Sequence, residues 1–262
     1  MQPLRIVALH GFRQDGDLFA NKVGSIVDDL VQSGVAAKVV FPTAPYSAAS
    51  VDQTLAPNDI ERSWYPTTHM SHDRDIGLSD RALAAIQQAA TDAGVEAFDV
   101  ALGFSQGSLA AIAVANVATA SDARVPPALQ RVRALVLVGC PLTDENAVAL
   151  PVRSMPVLHV AGEADAVVPL SDSLDTASHF DAATIFTHPG GHSIPRNHTA
   201  LVTIQSFLER VQVPIDGDAF LAAVDEELQL IEAMFGDSLE RLPSANAASV
   251  TFKLTIACED DP

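Results

Sequence analysis

Gly103-Phe104-Ser105-Gln106-Gly107 lies between a strand-like apolar stretch at residues 98–102 and a helix-like apolar stretch at residues 108–118. A serine between two glycines at a strand-to-helix turn has the G-x-S-x-G pattern of a nucleophile elbow. Such a turn strains the backbone of the serine, and the flanking glycines have no side chain to collide there. The N-terminus of the following helix favours a developing negative charge. The pentapeptide therefore predicts a nucleophilic Ser105, with a plain strand-to-helix turn as the alternative.

Apolar strand-like runs alternate with amphipathic helical stretches over residues 4–211. The strand candidates are short and apolar, as expected for strands buried on both faces. They cover residues 5–9, 37–41, 98–102, 134–138, 157–160 and 184–187. Among the helical stretches, one apolar stripe runs from Phe19 to Val31. Ser79 is placed to cap a second helix, and Asn197 or Thr199 is placed to cap a third. This alternation predicts an α/β fold with a mainly parallel sheet flanked by helices.

A serine nucleophile needs a general base, and the base needs an acid that orients it. Asp165 fits the acid because it lies shortly after the predicted strand at 157–160, where a loop points it at the carboxyl edge of the sheet. Glu163 is the alternative acid. In enzymes with a nucleophile elbow, the serine, the acid and the histidine follow one another in this order.

His192 fits the base because it comes after Asp165 and directly follows Gly190-Gly191, which allow a tight loop. His188 and His198 are the competing histidines. We interpret His10 as a structural hydrogen-bonding residue rather than a catalytic one.

An oxyanion hole needs two backbone N–H groups that point at the developing charge. The residue after the nucleophile, Gln106, is expected to supply one. Phe12, in the loop after the first strand, is expected to supply the other. Arg13 in the same loop is interpreted as a solvated surface residue, with contact to an acidic substrate group as the alternative.

Two long segments, residues 44–75 and 144–154, follow predicted strands and should emerge at the carboxyl edge of the sheet. The first one contains the only tryptophan of the chain. If this segment covers the site, an apolar substrate pocket is lined by Phe12, Tyr46, Trp64, Tyr65 and Met70. Anchoring of the loop to the body is the alternative role for Trp64.

The composition limits the classes of partner. The chain has 262 residues with 33 acidic and 15 basic side chains, a formal charge of −18, which argues against nucleic acid and anionic lipid partners. No apolar run reaches the ~18 residues of a membrane span. The two cysteines, Cys140 and Cys258, lie far apart in apolar stretches, so neither a disulfide framework nor a metal site is expected. A reducing cytoplasm and a small-molecule substrate fit these features.

The charge pattern changes near Pro214. Residues 214–262 hold 11 acidic and two basic residues, half of the net charge of the chain. We therefore divide the chain into a catalytic domain, residues 1–213, and an acidic C-terminal extension, residues 214–262. An apolar stripe at 220–235 predicts a helix, and alternation at 250–258 predicts a strand. Two such elements bury too little to fold alone, so they must dock on the body, on another copy or on a further segment.

The body resembles the FSH family of serine hydrolases. Five motifs carry the resemblance, at residues 9–16 (Leu-His-Gly-Phe-Arg-Gln-Asp-Gly), 41–45 (Phe-Pro-Thr-Ala-Pro), 103–107, around Asp165, and at 190–192 (Gly-Gly-His). The resemblance implies an α/β-hydrolase fold, carboxylesterase or thioesterase activity on acyl esters without a cofactor, and a triad of Ser105, Asp165 and His192. Acyl-protein thioesterases and related lysophospholipases share the elbow but usually lack the Phe-Arg-Gln of the first motif, and they are the alternative within the fold.

The extension resembles the first helix and strand of an RWD domain, a protein-interaction module, through residues 226–237 and the strand after them. The resemblance implies a protein partner or self-association through residues 214–262. A scaffold with a vestigial hydrolase body is therefore a further alternative, against which the complete set of Ser105, Asp165 and His192 argues.

Overall fold

A computed structural model describes residues 2–56, 60–66, 77–119, 125–142, 152–181, 183–212, 239–242 and 251–255. Within these ranges, eight strands form one sheet and two short strands form another. The strands of the large sheet are β1 (Leu4–Leu9), β2 (Ala36–Val40), β5 (Val100–Phe104), β6 (Ala134–Val138), β7 (Val157–Gly162), β8 (Ala183–His188), β9 (Leu239–Leu242) and β10 (Thr251–Thr255). The small sheet pairs β3 (Tyr46–Ser47) with β4 (Arg62–Ser63). The predicted mainly parallel α/β architecture is confirmed.

The order of strands across the large sheet is β2-β1-β5-β6-β7-β8-β10-β9. Every neighbouring pair is parallel except β9 and β10, which run antiparallel. The central strand β6, with the sequence Ala-Leu-Val-Leu-Val, is buried along its whole length. Strands that are covered on both faces need apolar side chains on both, which explains their unbroken apolar sequences.

Helices cover both faces of the sheet. They are α1 (Gly16–Gln32), α2 (Ala48–Val51), α3 (Asp80–Asp92), α4 (Gln106–Thr119), α5 (Leu170–Ser178) and α6 (His198–Gln212), with a 3-10 turn at Pro127–Leu129. Side chains of α3, α4 and α5 pack into the core on one face, and those of α1 and α6 pack into the core on the other. On α1 the stripe of Phe19, Val23, Ile26 and Leu30 is buried, at about 1.5–3 kcal/mol for each side chain.

The helix starts confirm the capping residues that the sequence suggested. The Ser79 side chain accepts a hydrogen bond from the Ala82 N–H at the start of α3. At the start of α6, Asn197 rather than Thr199 supplies the cap, because its Oδ1 accepts from the Ala200 N–H at 2.9 Å. Asp15 caps α1 through the Leu18 N–H at 2.7 Å. These bonds satisfy N–H groups that the first helical turn leaves without a partner.

One strand boundary differs from the prediction. The strand expected at 98–102 is observed as β5, Val100–Phe104, two residues later. The Phe98 N–H donates instead to the Ala128 carbonyl, and the ladder with β6 continues to Phe104. The apolar run alone did not show this, because strand ends depend on the neighbouring strand.

The extension contributes two strands, β9 and β10, to the sheet. β10 pairs in parallel with β8, so the strand predicted at 250–258 is present and docks on the body. The helix predicted at 220–235 lies outside the described residues. Of the helices described, none has the length and apolar character needed to cross a membrane.

Candidate active site

Ser105 sits on the turn between β5 and α4, at the carboxyl edge of the sheet. Its backbone has φ +53°, in the left-handed region that non-glycine residues rarely adopt, and its N–H donates to the Val138 carbonyl at 2.8 Å. A Cβ at Gly103 would lie 2.2 Å from the Gly107 carbonyl oxygen, and one at Gly107 would lie 2.0 Å from that of Leu9. Neither position has room for a side chain. The strained turn predicted from the pentapeptide is therefore present.

Asp165 and His192 form a close pair after β7 and β8. His192 Nδ1 lies 2.7 Å from Asp165 Oδ2. The other carboxylate oxygen accepts hydrogen bonds from the Val167 and Val168 N–H groups, each at 2.8 Å. These bonds fix the carboxylate, which in turn fixes the plane of the imidazole.

The electrostatics of the pair suit an ionised acid. Burial acts to raise the pKa of Asp165, but hydrogen bonds from the Val168 N–H, His192 and the Val167 N–H outweigh it and hold this pKa below its ordinary value. A carboxylate that stays ionised accepts the Nδ1–H of His192 and leaves Nε2 as the acceptor of the ring. No hydrogen bond joins Ser105 Oγ to the imidazole in the described part of the chain. Such contacts are often long in free enzymes and tighten with substrate.

Gly139, which the sequence analysis did not single out, supports this pair from below. It follows β6 and has φ +54°. A Cβ at this position would lie 2.9 Å from His192 Cε1, 3.0 Å from Nδ1 and 3.5 Å from Asp165 Oδ2. Phe104 covers the imidazole from another side, with ring centroids 4.9 Å apart. The ring of His192 thus lies close to the backbone of Gly139 and to the aromatic side chain of Phe104.

The competing acid and the two competing bases do not line the cavity beside Ser105. Glu163 is exposed and accepts a hydrogen bond from Thr187 Oγ1 at 3.1 Å. His188 is buried, and its Nδ1 accepts from the Gly190 N–H at 3.2 Å. His198 is exposed at the start of α6. None of the three belongs to the residues that line the cavity containing Ser105.

His10 holds the loop after β1, as interpreted from the sequence. Its Nδ1 lies 2.8 Å from the Gly11 carbonyl oxygen, to which it donates, and its Nε2 accepts from the Ala44 N–H at 3.0 Å. Burial lowers the pKa of His10 to about 4, so the ring is neutral at physiological pH. In this loop the Phe12 N–H has no hydrogen-bond partner among the described residues.

Arg13 follows Phe12 and contacts the segment around β4. Its guanidinium forms an ion pair with Glu61 at 2.7 Å, and its N–H donates to the Arg62 carbonyl at 2.9 Å. Arg13 thus links the loop to β4, and it does not line the cavity beside Ser105.

Three of the predicted pocket residues are placed away from the cavity. Trp64 is fully buried, and its Nε1–H donates to the His10 carbonyl at 2.9 Å, which fits the anchoring role; it is not among the described residues that line the cavity beside Ser105. Tyr46 bonds Ser79 Oγ through its hydroxyl at 2.8 Å. Tyr65 is buried beside Ser63. An aromatic side chain in a long segment can line a substrate pocket or anchor the segment to the body, and the hydrogen bonds of Trp64 and Tyr46 are of the anchoring kind.

Of the remaining predicted pocket residues, Phe12 lines the cavity, and Met70 lies outside the described residues. The Gln106 side chain has a role that the sequence did not suggest. Its Oε1 accepts from the Trp64 N–H at 2.9 Å, and its Nε2 donates to Ser63 Oγ at 3.0 Å. The residue after the nucleophile therefore fastens the segment around β4 to the elbow.

A cavity of about 520 Å³ opens beside Ser105. This volume is in the range of small-molecule sites. Its lining includes both Ser105 and His192, together with the apolar side chains of Phe12, Phe19, Phe104, Val167 and Ile194. Within the described ranges, no group of three or more His, Cys, Asp or Glu side chains is placed to hold a metal ion.

Comparisons with known proteins show similarity to serine hydrolases and esterases. A family model described as "Serine hydrolase (FSH1)" matches residues 1–204. The chain is 30% identical over 233 residues to the esterase OVCA2 of Danio rerio, covering 80% of this chain and 98% of that protein. It is 33% identical over 213 residues to the esterase OVCA2 of Homo sapiens, covering 74% and 90%.

Among solved structures, SOBER1 of Arabidopsis thaliana superposes with a TM-score of 0.55 at 19% identity, covering 80% of this chain and all of that one (100%). At 19% identity the similarity shows only that the two proteins share a fold. It confirms the α/β-hydrolase architecture.

Proposed function

The chain belongs to the FSH1 serine hydrolase family, and from this premise we propose that Ser105, His192 and Asp165 act as a catalytic triad that cleaves carboxylic esters or thioesters. The observation that carries the proposal is the Asp165–His192 bond of 2.7 Å beside the strained serine, with Ser105 and His192 on one cavity. A neutral His192 takes the hydroxyl proton of Ser105 at Nε2 while Oγ bonds to the carbonyl carbon of the substrate.

The reaction then runs in two halves. Collapse of the tetrahedral intermediate breaks the bond to the leaving alcohol or thiol, which receives the proton from His192 and leaves an acyl group on Ser105. Water attacks this acyl-enzyme with His192 again as base, which releases the carboxylic acid and restores the serine. The N–H groups of Phe12 and Gln106 are proposed to hold the oxyanion of both intermediates. The position of Gln106 at the start of α4 and of Phe12 on the cavity supports this role.

The test is hydrolysis of p-nitrophenyl esters of different chain lengths by the full chain. Ser105→Ala and His192→Ala should each lower kcat by about 10⁵- to 10⁶-fold, as in serine hydrolases whose triad acts as a unit. Asp165→Asn should also be strongly impaired, because the tautomer of His192 is no longer fixed. Ser178→Ala, at an exposed serine of α5, is the matched control and should keep wild-type turnover. Wild-type-like turnover of a well-folded Ser105→Ala variant would exclude the mechanism.

The remaining expectations stay proposals. Residues 1–213 are proposed as the catalytic domain and 214–262 as an extension that mediates self-association or contact with a protein partner. A cytoplasmic location is proposed from the cysteine usage. The Cys140 thiol, buried and without a disulfide, is compatible with a reducing compartment.

A further inference from the structure

The charge of the cavity is opposite in sign to that of the chain. Acidic residues outnumber basic ones by 33 to 15 over the whole sequence. Among the residues that the structure describes, the cavity lining nevertheless contains two basic side chains, Lys22 and Arg196, and no aspartate or glutamate. Asp165 is shielded behind His192, with a side chain only 2% exposed. A ligand that enters the cavity therefore meets positive charge at its walls.

The two cations come from adjacent elements on one face of the sheet. Lys22 lies on α1, one helical turn after Phe19, and Arg196 lies four residues after His192 in the loop that leads to α6. α1 and α6 pack into the same core, and both side chains line the same cavity. Both residues are exposed at its mouth.

Neither Lys22 nor Arg196 forms an ion pair or side-chain hydrogen bond with any other residue that the structure describes. Other arginines of the chain are engaged, as Arg5 is with Asp99 at 3.0 Å and Arg13 is with Glu61. In a chain with a formal charge of −18, unpaired cations beside the nucleophile offset the repulsion that an anionic substrate would otherwise meet.

The cavity is also lined by the apolar side chains of Phe12, Phe19, Phe104, Val167 and Ile194, of which Val167 is 68% exposed. We propose that the substrate is an acyl ester or thioester with an apolar part and an anionic group, a carboxylate or a phosphate, which Lys22 and Arg196 bind. This inference rests on the proposed function. The apolar walls take up the hydrocarbon portion, while the two cations bind the charged end and orient the scissile carbonyl toward Ser105.

The first experiment compares two esters that share a leaving group and a chain length: p-nitrophenyl hexanoate, which is neutral, and the p-nitrophenyl half-ester of adipic acid, which is anionic. The quantity measured is the ratio of kcat/KM for the anionic ester to that for the neutral one. This ratio should fall by about 5-fold in Lys22→Gln and by a similar factor in Arg196→Gln, as expected for unit charges about 4 Å apart in water. Added salt should lower the wild-type ratio as well.

The second experiment places the anion on the leaving group. It compares hexanoyl-CoA, which carries phosphates, with the hexanoyl thioester of N-acetylcysteamine, which carries none. Lys38→Gln is the matched control in both experiments, since Lys38 lies on β2, donates to the Ala93 carbonyl and does not line the cavity. Its ratios should equal those of the wild type.

The outcomes separate the possible sources of the anion. If Lys22→Gln and Arg196→Gln lower the kcat/KM ratio for the adipate half-ester, the anion lies on the acyl chain. If they lower the ratio for the CoA thioester, the anion lies on the leaving group. Ratios that Lys22→Gln and Arg196→Gln leave unchanged for both substrate pairs overturn the inference. The proposed function survives that result as long as Ser105→Ala abolishes hydrolysis of the neutral ester, so the two failures are distinguishable.

Discussion

Gly139→Ala should impair catalysis through the position of His192, without touching any reacting atom. The new methyl carbon would stand 2.9 Å from Cε1 of the imidazole, closer than Cβ atoms approach in folded proteins, and 3.0 Å from Nδ1, which is also a tight contact. The ring must therefore move, and its hydrogen bond to Asp165 Oδ2, at 2.7 Å, is disturbed with it. The pair that orients the base is disturbed directly.

The size of the effect follows from these distances. A φ of +54° adds a backbone penalty of about 1–2 kcal/mol for any residue with a Cβ. For catalysis, a displacement on the order of 1 Å costs about 10²-fold in rate. We therefore expect kcat/KM to fall about 10²-fold, together with a loss of about 1–2 kcal/mol in the free energy of unfolding.

A matched control separates the two effects. Gly34 also has a positive φ, +76°, but a Cβ there would have no heavy atom within 4 Å. Gly34→Ala should therefore lose a similar amount of stability and keep wild-type kcat/KM. The assays are steady-state hydrolysis of a p-nitrophenyl ester and urea denaturation of the same three proteins. If Gly139→Ala loses stability but retains full kcat/KM, the contact with His192 does not position the base and the reasoning fails.

Three further predictions concern stability and the C-terminal extension. Trp64→Phe removes the N–H that donates to the His10 carbonyl and should lower the free energy of unfolding by about 1–3 kcal/mol. The preference among ester chain lengths should stay the same, and a changed preference would support a pocket role for Trp64. Burial lowers the pKa of His159 to about 3. Between pH ~6 and ~4 the unfolded chain therefore binds a proton at His159 that the folded chain does not, and the free energy of unfolding should decrease by about 1 kcal/mol per pH unit as the pH falls. His159→Leu should remove that part of the slope in urea titrations, and equal slopes for the two proteins would contradict the prediction. Deletion of residues 214–262 takes β10 away from β8 and should leave an active hydrolase with an unpaired sheet edge and a lower melting temperature; complete loss of activity would place the extension within the catalytic fold.

The parts of the site that sequence could predict are local in the chain. The strained Ser105 and its two glycines lie within five consecutive residues, and their geometry follows from the turn itself. Asp165 and His192 were found because each follows a strand in an order that the elbow implies. The structure brings these two together at 2.7 Å.

The parts that sequence could not predict depend on contacts between distant segments. Trp64 finds its hydrogen-bond acceptor at His10, 54 positions earlier in the chain, and nothing in the residues around Trp64 points there. In the sequence, nothing distinguishes Gly139 from other glycines that follow strands. Only the structure shows that a side chain at this position would meet the imidazole of His192. Lys22 belongs to a helix whose apolar stripe explains its formation, so its position on the cavity emerges only when α1 packs beside the loop that carries Arg196.

Covalent labelling tests the central claim most directly. The full chain is treated with a fluorophosphonate, and the modified residue is located by peptide mass spectrometry, with His192→Ala labelled in parallel. We expect a single adduct on Ser105 in the wild type and much slower labelling of the variant, because the base that activates the hydroxyl is missing. A wild-type chain that stays unlabelled, or that carries its adduct on another residue, would contradict the account.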